Sequence, residues 1–120
     1  MAMIMGTNSA ETLNGNDLEG DIIIALGGAD TVNGGMGADQ ITAGDDADRV
    51  NGSCQADFIF GDGGTDTLHG DSGSDTIDGG AGADIIDGGS GRDTILASDL
   101  AEAAGDEIDG GSGTDMLHVD

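Results

Sequence analysis

Residues Gly79 to Asp87 read GGAGADIID, and the next nine residues, Gly88 to Leu96, read GGSGRDTIL. Both are copies of the pattern G-G-x-G-x-D-x-U-x, in which U is a large aliphatic residue. The pattern is also perfect at Gly34 to Thr42 and at Gly110 to His118. A nine-residue period of this kind predicts a repetitive fold in which each unit contacts only its neighbours.

Less perfect copies fill most of the remaining chain. From Gly6 onward we count about twelve repeats, with one inserted residue, Gly15, and an insertion of four residues before Ala101. The sixth position is always acidic: Glu11, Asp21, Asp30, Asp39, Asp48, Asp57, Asp66, Asp75, Asp84, Asp93, Asp106 and Asp115. The eighth is always aliphatic: Leu13, Ile23, Val32, Ile41, Val50, Ile59, Leu68, Ile77, Ile86, Ile95, Ile108 and Leu117.

Each half of the repeat has its own physical role. The glycines allow a tight turn of six residues with carbonyls pointing inward, and the acid closes the turn. The last three residues then form a short strand, whose side chains alternate between the two faces, so every repeat is expected to bury its eighth residue. Because one aliphatic per nine residues forms a core only if strands stack on both sides of it, we predict an all-β, flattened parallel β-roll with two repeats per coil.

The charge of the chain is extreme. Among 120 residues there are 25 acids and only two cations, Arg49 and Arg92, giving a formal net charge of −23. This charge excludes nucleic acid and anionic membranes as electrostatic partners. A chain so acidic and rich in glycine folds only if a multivalent cation offsets the repulsion, and carboxylate and carbonyl oxygens are the ligands that Ca²⁺ prefers.

Stacked turns predict where calcium would bind. Acids of repeats two apart would lie about 4.8 Å from each other along each edge, with five gaps per edge and so about ten ions in all. The predicted carboxylate ligands are the eleven sixth-position aspartates, Asp21 to Asp115. The predicted loop glycines are Gly34, Gly35, Gly37, Gly61, Gly63, Gly64, Gly70, Gly73, Gly79, Gly80, Gly82, Gly88, Gly89, Gly91, Gly110, Gly111 and Gly113.

These repeats resemble the RTX (repeats-in-toxin) family of hemolysin-type calcium-binding nonapeptide repeats, over residues 6–120. The resemblance implies a right-handed parallel β-roll with calcium between adjacent turns. It also implies export from a Gram-negative bacterium by type I secretion, with folding outside the cell where calcium is plentiful. Such repeats are found attached to proteases, lipases, toxins, adhesins and epimerases, so a passenger domain outside this chain is expected.

Departures from the pattern indicate which predicted sites should bind calcium more weakly. Asp46 and Gln55 replace the fourth-position glycine, so gaps involving Asp48 and Asp57 are expected to bind calcium more weakly. Glu11 is one methylene too long, and the loop before Asp106 has no glycine in these positions. The best-supported pairs are Asp66 with Asp84, Asp75 with Asp93 and Asp93 with Asp115, ahead of Asp21 with Asp39 and Asp30 with Asp48.

Two segments depart from the repeat pattern. Residues 1–5 are expected to form an N-terminal extension or cap. Near residues 98–104 we predict a short helix, because Asp99 and Glu102 form a capping box and Gly105 would end the helix. The last repeat ends without a capping element, which suggests a fragment or a chain completed by a partner.

The outer faces of the two sheets differ. The face of the even repeats is expected to be apolar, and self-association or a packing partner is predicted there, at Ile22, Ile24, Phe58, Phe60, Leu96 and Met116. The face of the odd repeats carries a threonine ladder, as in some calcium-dependent ice-binding adhesins, but Arg49, Ile85 and Glu107 interrupt it.

No catalytic constellation is found. His69 and His118 fall at ninth positions on opposite sheets and are interpreted as solvated surface residues, and Cys54 as an incidental exposed thiol. The sequence therefore predicts a non-enzymatic, secreted or cell-surface module that folds on binding Ca²⁺ and assists secretion and folding of a larger protein. The alternative is a structural or adhesive module, including an ice-binding adhesin, that assembles through its apolar face.

Overall fold

The computed structural model describes residues 2–15, 18–97 and 105–119. These residues form thirteen strands and no helix, and within them nothing is long and apolar enough to cross a membrane as a helix. The helix expected near residues 98–104 lies outside the described residues. The strands are β1 (Met3–Met5), β2 (Thr12–Asn14), β3 (Ile22–Ile24), β4 (Thr31–Met36), β5 (Gln40–Gly44), β6 (Arg49–Cys54), β7 (Phe58–Asp62), β8 (Thr67–Ser72), β9 (Thr76–Asp78), β10 (Ile85–Asp87), β11 (Thr94–Ala97), β12 (Glu107–Asp109) and β13 (Met116–Val119).

The strands alternate between two sheets. Sheet A contains β1-β3-β5-β7-β9-β11-β13 and sheet B contains β2-β4-β6-β8-β10-β12, each in that spatial order. All pairings between neighbouring strands are parallel. Two turn-and-strand units therefore make one coil, and the protein is an all-β parallel β-solenoid of about six coils, as the periodicity predicts.

The register follows the repeat. Equivalent residues lie side by side, as in Ile41 beside Ile59 and Val50 beside Leu68. In the middle of the roll such partners are 18 residues apart, whereas Glu11 and Asp30 are 19 apart and Asp84 and Asp106 are 22 apart. The strands on either side of the single inserted residue and of the four-residue insertion thus keep the register of the repeat.

The core is a double stack of aliphatic side chains between the sheets. The interior eighth-position residues are all buried: Ile23, Val32, Ile41, Val50, Ile59, Leu68, Ile77, Ile86 and Ile95. The expectation that every repeat buries this residue is wrong at the ends, where Leu13 and Ile108 are only partly buried and Leu117 is 54% exposed. Their strands, β2, β12 and β13, are the outermost of their sheets, so a neighbour is missing on one side.

Two further features differ from the simplest expectation. Several strands are longer than three residues, and β4, β6 and β8 each have six, because they continue into the glycines of the next turn. In addition, Met3–Met5, which match no repeat, form β1 and pair in register with Ile22–Ile24. Sheet A therefore extends one strand beyond the first recognisable repeat.

Strand β10 offers a matched test of the core, since its adjacent isoleucines face opposite ways: Ile86 is 2% exposed and Ile85 is 44% exposed. Ile86→Ala is expected to lower the free energy of unfolding by about 2–5 kcal/mol, the usual cost of a cavity in a packed core. Ile85→Ala is expected to change it by about 0.5 kcal/mol or less. Urea unfolding in calcium-containing buffer measures both, and equal losses would contradict the inward stacking.

Candidate calcium sites

The sixth-position aspartates form a row along each edge of the roll. Each lies just before a strand, where the turn ends, and the row members in the interior coils are at most 3% exposed: Asp21, Asp30, Asp39, Asp48, Asp57, Asp66, Asp75, Asp84 and Asp93. Asp106 and Asp115, in the last coil, are partly buried. The sequence predicted these rows, although it did not predict that the carboxylates would be so completely enclosed.

One oxygen of each interior carboxylate ties adjacent coils together. The N–H of Asp48 donates to Oδ1 of Asp66 at 2.9 Å, and the N–H of Asp66 donates to Oδ1 of Asp84 at 2.9 Å. The same bond recurs on the other edge, for example from the Asp57 N–H to Oδ1 of Asp75 at 2.9 Å. From Asp30 onward each interior aspartate therefore accepts from the acid at the same position of the preceding coil, and Asp21 accepts from the N–H of Ala2, so the side chain serves as a structural link as well as a charge.

The second carboxylate oxygen is buried and has no hydrogen-bond partner in the protein. This holds for Oδ2 of eight aspartates: Asp30, Asp39, Asp48, Asp57, Asp66, Asp75, Asp84 and Asp93. A buried polar oxygen without a partner is costly and uncommon in native proteins, and a charged one more so. Eight equivalent cases in one small fold indicate that a ligand satisfies these oxygens.

The first-position glycine brings a carbonyl oxygen to the same place. A β-carbon at Gly61 would lie 2.5 Å from Oδ2 of Asp66 and 2.5 Å from the carbonyl oxygen of Gly79 in the next coil. The two oxygens therefore face one small space that only glycine leaves open. Gly52 stands in the same relation to Oδ2 of Asp57 and to the Gly70 carbonyl, although its degenerate repeat kept it out of the predicted set. Its place at the start of a repeat was the signal that could have identified it.

The fourth position keeps its backbone conformation even without glycine. Gly64 has a φ of 120°, and the space beside its α-carbon is filled by the carbonyl of Asp46 in the preceding coil. Asp46 and Gln55 adopt the same left-handed conformation, with φ of 81° and 76°. Oδ2 of Asp46 also accepts from the N–H of Gly28 at 3.1 Å. The turns of Asp46 and Gln55 therefore keep a positive φ at the fourth position, as the turn of Gly64 does; weaker binding there remains a prediction.

Burial controls the protonation of the rows. It raises the pKa of Asp57 and of Asp66 from 3.8 to about 7, with smaller contributions from neighbouring aspartates, while the backbone hydrogen bond lowers it. For the same reason the pKa of Asp48 and of Asp75 rises to about 6. The pKa values of Asp39, Asp84 and Asp93 are also raised. Without a cation the enclosed carboxylates thus hold protons at a pH where free aspartate does not.

The donor set suits a hard cation. The ligand atoms available are carboxylate and backbone carbonyl oxygens, and no group of three or more His, Cys, Asp or Glu side chains converges anywhere in the described part of the chain. Main-chain carbonyls must therefore supply most of the oxygens around an ion. Flexible shells of six to eight oxygens, mixing a few carboxylates with carbonyls, are what Ca²⁺ prefers. The residues present fit calcium.

The remaining candidate residues lie away from these rows. Nδ1 of His69, on the outer face of sheet B, is 3.8 Å from Oδ2 of Asp87. His118 falls at the corresponding outward position of β13 in sheet A, beside Leu96. Cys54 is exposed and unpaired.

Comparison with known families agrees with this geometry. The family model for the RTX calcium-binding nonapeptide repeat matches four times, at residues 19–50, 42–77, 60–95 and 101–120. No curated protein and no solved structure is significantly similar to the chain. The four matches together cover well over half of the sequence and contain all the buried aspartates. The chain therefore belongs to the RTX calcium-binding repeat family, and its β-roll is a calcium-binding module.

Proposed function

We propose that this module folds only when calcium binds, and that it serves as the secretion and folding segment of a larger protein exported by type I secretion from a Gram-negative bacterium. The observation that carries the proposal is the set of eight buried Oδ2 atoms without a partner. A fold that encloses so many carboxylates is incomplete without positive charge. Nothing in the residues or the family supports an enzymatic role.

The coupling of folding to calcium binding follows from the side chains that each coil contributes. Each coil contributes two aliphatic side chains to the core and two enclosed carboxylates to the edges, so its hydrophobic gain is opposed by desolvation and by repulsion between stacked acids. Bound calcium supplies the charge and the oxygen coordination that offset this cost. The free energy of binding is then free energy of folding, and the low calcium of the cytosol would leave the chain unfolded during export.

About ten ions would bind in a right-handed roll of about twelve repeats, five along each edge. The pairs Asp66 with Asp84 and Asp75 with Asp93 would bind first, since their turns keep all or most of the loop glycines. A short helix near residues 98–104 would project from the roll, and residues 1–5 would close its N-terminal end. The module would act outside the cell or at the cell surface, joined to a passenger domain.

A second candidate is a structural or adhesive module that assembles through the outer face of sheet A. It is favoured by the exposure there of Phe58 and Met116, which are 48% and 60% exposed. Ice binding through sheet B is less well supported. A polar groove of about 310 Å³ that includes Arg49, Asn51 and His69 interrupts that face, whereas a threonine ladder needs a flat surface to bind ice.

Far-UV circular dichroism of the metal-free chain, titrated with calcium at pH 7.5, tests ion-coupled folding. We expect a cooperative gain of β signal that a chelator reverses and that magnesium does not reproduce, because magnesium demands a rigid octahedral shell and gives up water reluctantly. A metal-free chain that is already folded at this pH would contradict the proposal.

Two acids of one turn give a matched test of ligation. Asp66→Asn keeps an acceptor for the Asp48 N–H but removes an enclosed charge, so the calcium midpoint is expected to rise about tenfold, as charge count sets affinity at such sites. Asp62→Asn, at an exposed residue with φ of 70° that asparagine tolerates, should shift the midpoint much less, because the Asp62 charge is only a minor influence on Asp66. Asp66→Asn should also make the metal-free chain less unstable, since one buried charge is gone. Identical shifts for both variants would speak against a specific site.

The raised pKa values predict that acid partly replaces calcium. An aspartate with a folded pKa of about 6 to 7 and an unfolded value of 3.8 binds protons more readily in the roll, so its contribution to stability is lost as pH rises through 6 to 7. Metal-free protein should therefore gain β signal between pH 8 and pH 5, above its isoelectric point of about 4.1. The calcium concentration at the midpoint of folding should rise as the pH falls from 8 to 5, because protons and calcium compete for the same carboxylates. A calcium midpoint independent of pH would refute this view of the rows.

A further inference from the structure

The outer face of sheet A carries an uncharged patch on four adjacent strands, β1, β3, β5 and β7. Its two rows of outward side chains run in register from β1 to β7. Six of the eight are large and apolar, and we call these eight residues the four-strand patch: Met3, Ile22, Gln40 and Phe58 in one row, and Met5, Ile24, Thr42 and Phe60 in the other. Met3 and Met5 are 66% and 60% exposed and Phe58 is 48% exposed.

The patch is exceptional for its lack of charge. The chain has 25 acids and a net charge of −23, yet none of these eight residues ionises. Beyond β7 the same face becomes mixed, with Asp78 on β9 and His118 on β13. Because β1 matches no repeat, the sequence pattern alone showed only part of this surface. An uncharged and mostly apolar face on an otherwise highly charged molecule marks a contact surface.

We propose that the four-strand patch joins two copies of this chain in a face-to-face dimer. The inference rests on the proposed calcium-coupled folding, since the patch exists only in the folded roll. A second copy is the partner that suits a flat, uncharged sheet face, because two such faces pack about 10 Å apart with their acidic edges directed away from the contact. Most other surfaces of this acidic chain would bring carboxylates together.

The size of the patch sets the area that the dimer would bury. Four strands about 4.8 Å apart span roughly 15 to 19 Å of the stack, on a roll whose two longer dimensions are 32 and 28 Å. Each copy would therefore cover roughly 500 Å², or about 1,000 Å² in total, at the lower limit for a specific interface. A weak dimer is expected, populated at tens of micromolar protein.

The arrangement of the rows selects one geometry. A two-fold axis parallel to the strands, between β3 and β5, places Met3 over the partner's Phe58 and Met5 over the partner's Phe60. Methionine sulfur makes favourable contacts with aromatic rings. The same axis lets β9 to β13 extend past the partner's β1, so Asp78 of the two copies never meet. Unscreened carboxylate rows would still repel the two copies, so the dimer requires calcium.

Sedimentation equilibrium with calcium, from about 1 to 200 µM protein, tests the proposal. The mass should rise from that of one chain to that of two. Phe58→Ser with Phe60→Ser should abolish the rise, whereas Ile85→Ser, at an isoleucine 44% exposed on sheet B, should leave it intact. Thr42→Glu provides a milder change if the double variant folds poorly. A folded wild-type chain that stays monomeric, or a dimer indifferent to the Phe58 and Thr42 changes, would overturn the proposal.

A cross-link tests the geometry. Opposed cysteines on faces about 10 Å apart are too distant for a direct disulfide, so a short bifunctional thiol reagent is used. In a Cys54→Ser background, this reagent should link Met3→Cys with Phe58→Cys into a covalent dimer in calcium. The control pair Met3→Cys with Ile85→Cys, whose second cysteine lies on sheet B, should not be linked into a dimer. If the protein dimerises but the Met3→Cys and Phe58→Cys pair is not cross-linked, the two-fold axis between β3 and β5 is wrong. Circular dichroism of each sample separates the two hypotheses: a calcium-induced transition without dimerisation rejects only the dimer, and no transition rejects calcium-coupled folding itself.

Discussion

The structure depends on one constraint: an aspartate at the end of each interior turn is buried where the coils stack. Its Oδ1 accepts the N–H of the equivalent residue one coil earlier, which fixes the spacing of the coils, while its Oδ2 is enclosed without a partner. The bond that builds the roll therefore also creates the demand for a cation. Under the proposed function the same carboxylate contributes to both stability and calcium binding, so the two are coupled.

The glycines satisfy the same constraint from the backbone side. At Gly61 the missing β-carbon leaves room for the Asp66 carboxylate and for the Gly79 carbonyl, and at Gly64 a positive φ lets the turn close over the carbonyl of Asp46. A few positions accept other residues, as Asp46 and Gln55 show, at the cost of a left-handed conformation that is unfavourable for non-glycine residues. The glycines of each repeat thus provide the space and the backbone conformations that the buried carboxylate requires.

Much of this was predictable from the sequence, because an 18-residue coil determines which residues are neighbours. The alternation of sheets, the pairing of Ile41 with Ile59, and the acidic rows follow from the period alone. The period could not show that Asp39 and its equivalents donate N–H groups along the row, since that depends on the local path of the turn. It also missed β1, because Met3–Met5 pair through backbone hydrogen bonds that need no repeat signature. The exposed Leu117 was mispredicted for a related reason: a pattern does not show where stacking ends.

The uniform 18-residue separation of the bonded aspartates has a kinetic consequence. In the described part of the chain every strand pairing joins neighbouring coils, so each interior coil closes a loop of the same modest length onto the coil before it. Folding can therefore begin at any well-formed coil and propagate in both directions, each completed coil serving as a template for the next. A chain emerging end first from a narrow channel could begin to order before its last residues appeared, and each newly ordered coil would make backward sliding more difficult.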